Sequence, residues 1–79
     1  MARLDLDHFK KIDKQRNTIH DKVVGTYTIF ESGNLKYLQI DTFGRLEREM
    51  PEKISQSFQF DRESANYIVN LLIKTFELK

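Results

Sequence analysis

The chain has 79 residues, 39% of them hydrophobic and 32% charged, with a formal net charge of +1 and no cysteine. A chain this short buries roughly 60% of its unfolded surface, so one domain with a marginal core is expected, without a disulfide or thiolate metal site to support it. No run reaches the ~20 apolar residues of a membrane span. Acids in Met1-Ala2-Arg3-Leu4-Asp5-Leu6-Asp7 argue against a signal peptide, so a cytoplasmic protein with no membrane contact is expected.

Residues 1–22 carry six Lys/Arg (Arg3, Lys10, Lys11, Lys14, Arg16, Lys22) against four Asp, and residues 23–79 carry seven basic against eight acidic groups. The excess is small for a nucleic-acid-binding face. Leu4, Leu6, Phe9 and Ile12 stand among these charges. Asp5 or Asp7 can cap a short helix reaching about Arg16, with Phe9 and Ile12 packed at i, i+3 spacing. The alternative is an N-terminal arm. Residues 1–22 are thus a helix or an arm, and residues 23–79 form a single sheet-plus-helix domain.

Val23 to Glu31 is rich in Val, Thr, Tyr, Ile and Phe, which suit a pleated surface. Leu35 to Phe43 alternates: Leu38 and Ile40 point one way, Tyr37, Gln39 and Asp41 the other. Ser32-Gly33-Asn34 lies between them, and glycine and asparagine tolerate positive φ, so the two strands form a hairpin. The segment from Arg45 to Met50 is a short edge strand or a charged loop, its Arg45, Arg48 and Lys53 matched by Glu47, Glu49 and Glu52. Pro51, lacking a backbone donor, suits a turn or an edge. Ile54 to Phe60 alternates again, with Ile54, Phe58 and Phe60 on one face and Ser55, Ser57 and Gln59 on the other.

Asp61 has the side chain of an N-cap, and Glu63 suits the positive end of the helix that follows over 61–78. On it, Ala65, Ile68, Val69, Leu72, Ile73 and Phe76 fall within an arc of about 140°. Tyr67, Leu71 and Leu78 form a second stripe on the opposite side. That stripe is read as a homodimer interface, the alternative being that the N-terminal segment folds over it. Self-association is also how small chains without staples commonly gain stability.

No catalytic constellation emerges. His20-Asp21 resembles a base with its orienting acid, but no glycine-framed serine and no cysteine is there to be activated. His8 with Asp5 or Asp7 lacks the spacing of a closed metal site, and Gly25, Gly33 and Gly44 are scattered singly, so no phosphate-cradling loop is formed. No enzyme, metal or cofactor is expected. What remains is the sheet face of Tyr37, Gln39, Asp41, Phe43, Ser55, Ser57 and Gln59, a hydrogen-bonding surface with interleaved aromatics and nearby cations. Stacking on aromatics beside cations is how sheet surfaces hold single strands. An ordinary solvated face is the alternative.

The hairpin with Phe30-Glu31-Ser32-Gly33-Asn34-Leu35 leading into Leu38-Gln39-Ile40, then Met50-Pro51-Glu52-Lys53, the last strand and the final helix resemble the positive-cofactor-four type of transcriptional coactivator over residues 23–78. The chain departs from that pattern in having Glu52 and no glycine in the loop, and Ser64-Ala65 where an aromatic is usual. The resemblance implies a homodimer that binds single-stranded DNA, with Arg45, Arg48, Lys53 and Tyr37 the residues that touch it. The runs Tyr37 to Gly44 and Ser55 to Asp61 are also similar to small uncharacterised bacterial and phage proteins, which imply no function.

The expected architecture is α+β: an antiparallel sheet of three or four strands backed by a C-terminal α-helix. The expected function is non-enzymatic binding of nucleic acid, single-stranded DNA first, by a homodimer. Tyr37 and Phe43 would stack on bases, while Arg45, Arg48, Lys53, Lys10, Lys11 and Lys14 would contact phosphates. The alternative is a protein–protein interaction module, a phage or bacterial inhibitor or complex subunit, using the Tyr67/Leu71/Leu78 stripe or a sheet edge.

Overall fold

The computed structural model describes residues 1–45 and 54–78. Four strands and one helix follow in the order β1 (Ala2–Arg3), β2 (Val23–Ser32), β3 (Leu35–Arg45), β4 (Gln56–Phe60) and α1 (Arg62–Phe76). The sheet order is β1-β4-β3-β2, with α1 packed against β4. The domain is a small α+β fold, as the alternation and the C-terminal amphipathic helix predict.

The β2–β3 hairpin turns on Gly33 (φ 58°) and Asn34 (φ 66°), with Ser32 opposite Leu35. Positive φ at both central residues is the turn whose twist matches that of the flanking strands. The register then runs from Glu31 opposite Lys36 to Gly25 opposite Thr42, and slips between Gly25 and Val23, where Phe43 and Gly44 face Val24 alone. β4 pairs antiparallel with β3, Ile40 opposite Phe58 and Asp41 opposite Ser57. The amide of Ser55 donates to the Thr42 carbonyl at 2.7 Å and prolongs that ladder by one residue.

The sheet is mixed. Its outer strand is β1, parallel to β4, with Ala2 opposite Phe58 and the Leu4 amide donating to the Gln59 carbonyl at 3.2 Å. The segment expected as an edge strand, Arg45 to Met50, lies beyond Arg45 outside the described residues. The N-terminal helix to Arg16 is not formed. A single 3-10 turn, Leu6–His8, stands in its place, capped by Asp5, whose side chain accepts from the Asp7 amide at 3.0 Å. Phe9 is already extended, and residues 9–22 carry no regular structure. Pairing of β1 with β4 fixes the start of this segment as a strand. Phe9 packs instead on Tyr67 and Ile12 is exposed, so the Phe9–Ile12 pair that would support a helix is not made.

α1 starts with a reciprocal cap. Asp61 accepts from the Ser64 amide at 2.9 Å, and Ser64 Oγ accepts from the Asp61 amide at 3.0 Å. Ser64 is fully buried. The helix ends at Glu77, which takes the left-handed conformation while the Leu78 amide bonds the Ile73 carbonyl.

Burial is inverted relative to the usual globular pattern. Among the described residues no apolar side chain is buried, and the three buried residues are Asp41, Ser57 and Ser64.

Candidate nucleic-acid interface

Strand alternation and register together sort the sheet into two faces. On the first, three cross-strand rows follow one another: Phe30 with Tyr37; Thr28 with Gln39, Gln59 and Arg3; Thr26 with Asp41 and Ser57. On the second lie Tyr27, Ile29, Leu38, Ile40, Phe58 and Phe60.

The polar rows are tied into one ladder. Gln59 Nε2 donates to Gln39 Oε1 at 2.7 Å, and Gln39 Nε2 donates to Asp41 Oδ1 at 2.9 Å. Ser57 Oγ donates to the same Asp41 oxygen. Asp41 and Ser57 are 7% and 6% exposed, so this carboxylate is buried and satisfied by its neighbours. The centre of the face is therefore a rigid polar platform with its hydrogen bonds turned inward.

The stacking end is the row above. The Phe30 and Tyr37 rings stack with centroids 5.5 Å apart, and the Arg3 guanidinium lies 5.8 Å from the Tyr37 ring centroid. Such a cation over an aromatic face is attracted by the ring quadrupole. Four residues of strand at about 3.4 Å each put Tyr37 roughly 14 Å from the Asp41 position.

Acids neighbour Arg3. It shares a hollow with Asp5, Asp7, Asp61 and Glu63. The Asp5 carboxyl is held below the ordinary aspartate range by its bond with His8 (2.7 Å to Nδ1), then by the Asp7 amide, with smaller help from Arg3. Asp61 is lowered by the Ser64 amide, then by the Ser64 hydroxyl, again with a smaller contribution from Arg3. Arg3 thus lies both among these acids and over the Tyr37 ring.

Tyr37 and Phe43 are both half-buried, Tyr37 in the stack and Phe43 at the bulge that ends the regular part of the face. Arg45 closes β3 opposite Val23; Arg48 and Lys53 lie outside the described residues. Lys10, Lys11 and Lys14 are exposed on the extended 9–22 segment, where Asn17 Nδ2 donates to the Lys14 carbonyl at 2.7 Å. The structure adds Phe30 and Arg3. Phe30 follows from the two-residue turn, since Ser32 opposite Leu35 puts residue 30 opposite 37. Arg3 has no local signal: its place comes from the parallel pairing of β1.

On the helix, Phe9 meets Tyr67 edge to face at 5.7 Å, and Leu6 lines a shallow hollow with Tyr67 and Leu71. The N-terminal segment thus covers part of the second stripe, while Leu71 and Leu78 remain exposed. His20 and Asp21 are exposed. Among the described residues there is no group of three or more His, Cys, Asp or Glu placed to hold a metal, and no helix long and apolar enough to cross a membrane.

The chain matches no protein-family profile, no curated protein and no solved structure.

Proposed function

We propose that the chain is a non-enzymatic module of the cytoplasm that binds single-stranded nucleic acid, DNA first, and acts as a homodimer. The observation that carries this reading is the Phe30–Tyr37 stack under Arg3 at one end of a polar sheet face. A base slides over the Tyr37 ring as Arg3 swings aside, and each stacked base contributes about 1–3 kcal/mol whatever its identity. Phosphate contacts fall to Lys10, Lys11 and Lys14 and to Arg45, Arg48 and Lys53 around the loop, with Phe43 a second stacking ring. The resemblance to the positive-cofactor-four type of coactivator supports the same ligand and the same assembly.

Fluorescence anisotropy of a labelled single-stranded oligonucleotide, titrated at low and at physiological salt, tests the reading. Micromolar or tighter binding that weakens steeply with salt is the expected result. Absence of binding at low salt, where even non-specific phosphate contacts register, overturns it.

The second reading is a protein-interaction module, favoured by the open apolar face of the sheet. Capture of a protein partner that survives nuclease treatment separates it from the first.

A further inference from the structure

The ladder across the polar face has a direction, and Asp41 sets it. A carboxylate offers only acceptors, so Gln39 must present its Nε2 to Asp41, at 2.9 Å to Oδ1 and 3.2 Å to Oδ2. Gln39 Oε1 is thereby left on the far side, where it accepts from Gln59 Nε2 at 2.7 Å. Gln59 must then hold its own Oε1 out of the chain of bonds. Among the described residues no side-chain oxygen or nitrogen is both buried and without a partner, so this oxygen faces solvent. Arg3, opposite Gln59 in register, carries donors only, but its guanidinium lies over the Tyr37 ring and beside acids. The anchor is firm, because Asp41 is buried and also accepts from Ser57 Oγ.

The free oxygen stands near the stacking ring. β4 stops short of this end of the sheet: Phe60 lies opposite Leu38, and Asp61, next in line for Tyr37, turns away to cap α1. Phe30 stacks on Tyr37 from the β2 side, and on the other side Arg3, Tyr37 and Asp61 line an open hollow. The row of Gln39 and Gln59 is two strand residues away, about 7 Å, a gap that the edge of a base stacked on Tyr37 bridges.

We infer that Gln59 reads that base, its Oε1 accepting from an exocyclic amino group, so that cytosine and adenine are preferred over thymine and uracil. Cytosine and adenine carry an amino donor where thymine and uracil carry a carbonyl, and a carbonyl set against Oε1 leaves two acceptors facing each other. Stacking alone tolerates every base. A freely turning amide would also read nothing, since it presents either end. Here Asp41 is the positioning residue: acting through Gln39, it fixes which end of the Gln59 amide points outward. The inference rests on the nucleic-acid reading above and adds a base preference to it.

The test compares oligodeoxycytidine with oligodeoxyuridine of one length, by anisotropy at one salt concentration. The two bases share a ring size and differ in having an amino group or a carbonyl at position 4, with the matching change at the neighbouring ring nitrogen. Cytosine is expected to bind about three- to tenfold tighter, the worth of one hydrogen bond. Gln59→Met keeps the length of the side chain without its amide, and Asp41→Asn frees the ladder to run either way; both should bring the ratio close to unity. A purely structural role would weaken both oligonucleotides alike and leave the ratio unchanged, which overturns the inference. A second measurement needs no oligonucleotide: NMR of the isotope-labelled wild type should show a coupling through the hydrogen bond from Gln59 Nε2 to Gln39 Cδ. Coupling in the reverse sense, equal affinity for the two oligonucleotides or a preference for uracil overturns the inference and leaves nucleic-acid binding standing. Absence of binding to either at low salt sinks the nucleic-acid reading and this preference with it.

Discussion

Replacing Asp41 tests whether the polar ladder holds the sheet. Asp41→Ala removes the acceptor for Ser57 Oγ and for Gln39 Nε2. Ser57 is buried at 6% exposure, so its hydroxyl is left without a partner and out of reach of bulk water; an unsatisfied buried group costs about 1–3 kcal/mol. Gln39 is only half-buried and recovers part of its hydrogen bonding from solvent. The sum is about 2–4 kcal/mol, a large share of the 5–15 kcal/mol that small domains possess, and lowers Tm by roughly 8–30 °C. Asp41→Asn is milder, because Gln39 and Gln59 can reverse their amides in concert and accept the new donor, so less than about 1 kcal/mol is expected. Ser57→Ala costs about 1.5–3 kcal/mol, since it takes a hydrogen bond from a carboxylate. The double variant Asp41→Ala/Ser57→Ala removes donor and acceptor together and falls short of the summed single effects by about 1–2 kcal/mol. Urea unfolding at one fixed protomer concentration measures all four, a fixed concentration being necessary wherever association contributes to stability. An Asp41→Ala destabilisation below about 0.5 kcal/mol, or strict additivity in the double variant, would refute the reasoning.

Asp61→Ala removes the N-cap of α1 and is expected to cost about 1 kcal/mol, read as reduced far-UV ellipticity and a lower urea midpoint. The same cap has a pH signature: the Asp61 carboxyl is lowered in the folded chain, so its contribution is complete at neutral pH and is lost as pH falls through and below about 4, and helix content should fall there in the wild type but not in Asp61→Ala. Gly33→Val places a β-branched residue at φ 58° and should destabilise the hairpin by about 1–2 kcal/mol, visible as a Tm shift; an unchanged Tm would mean the turn is not of this type. Tyr37→Ala should weaken oligonucleotide binding by about 1–3 kcal/mol at low and physiological salt alike, whereas Lys10→Ala/Lys11→Ala/Lys14→Ala should flatten the salt slope by about 0.7 for each phosphate left without its lysine, both measured by anisotropy.

The hairpin, the strand before Phe60 and the capped helix were legible because each signal is local. Alternation sets the strand faces, Gly33-Asn34 supplies positive φ, and Asp61 offers an N-cap side chain with Glu63 in the first turn; the reciprocal bond from Ser64 was not legible. The fourth strand was not legible. Two residues, Ala2 and Arg3, carry no periodicity, and their pairing with Phe58 and Gln59 depends on a parallel contact across more than fifty positions. The ring platform was half legible: Tyr37 stood out as an aromatic on a polar face, while Phe30 needed the register and Arg3 the parallel strand. The sequence also suggested a solvated polar face and a covered apolar one, and the burial runs the other way.

That inversion links fold and function. A polar side chain withdraws from water here only because its neighbours satisfy it, so the Gln59–Gln39–Asp41–Ser57 ladder is closed within one chain. An apolar face has no directional demand, and the part of it that stays exposed forgoes the ~25 cal/mol per Å² that burial supplies. The two faces therefore divide the tasks. The ladder ties the strands together within one chain, beside the Phe30–Tyr37 stack, while much of the apolar face stands exposed. If the chain pairs as proposed, an oligonucleotide long enough to reach both protomers gains affinity through local concentration without a new contact. Binding strength should therefore step up once an oligonucleotide spans two protomers, and a chain held monomeric should lack that step while retaining the single-site affinity.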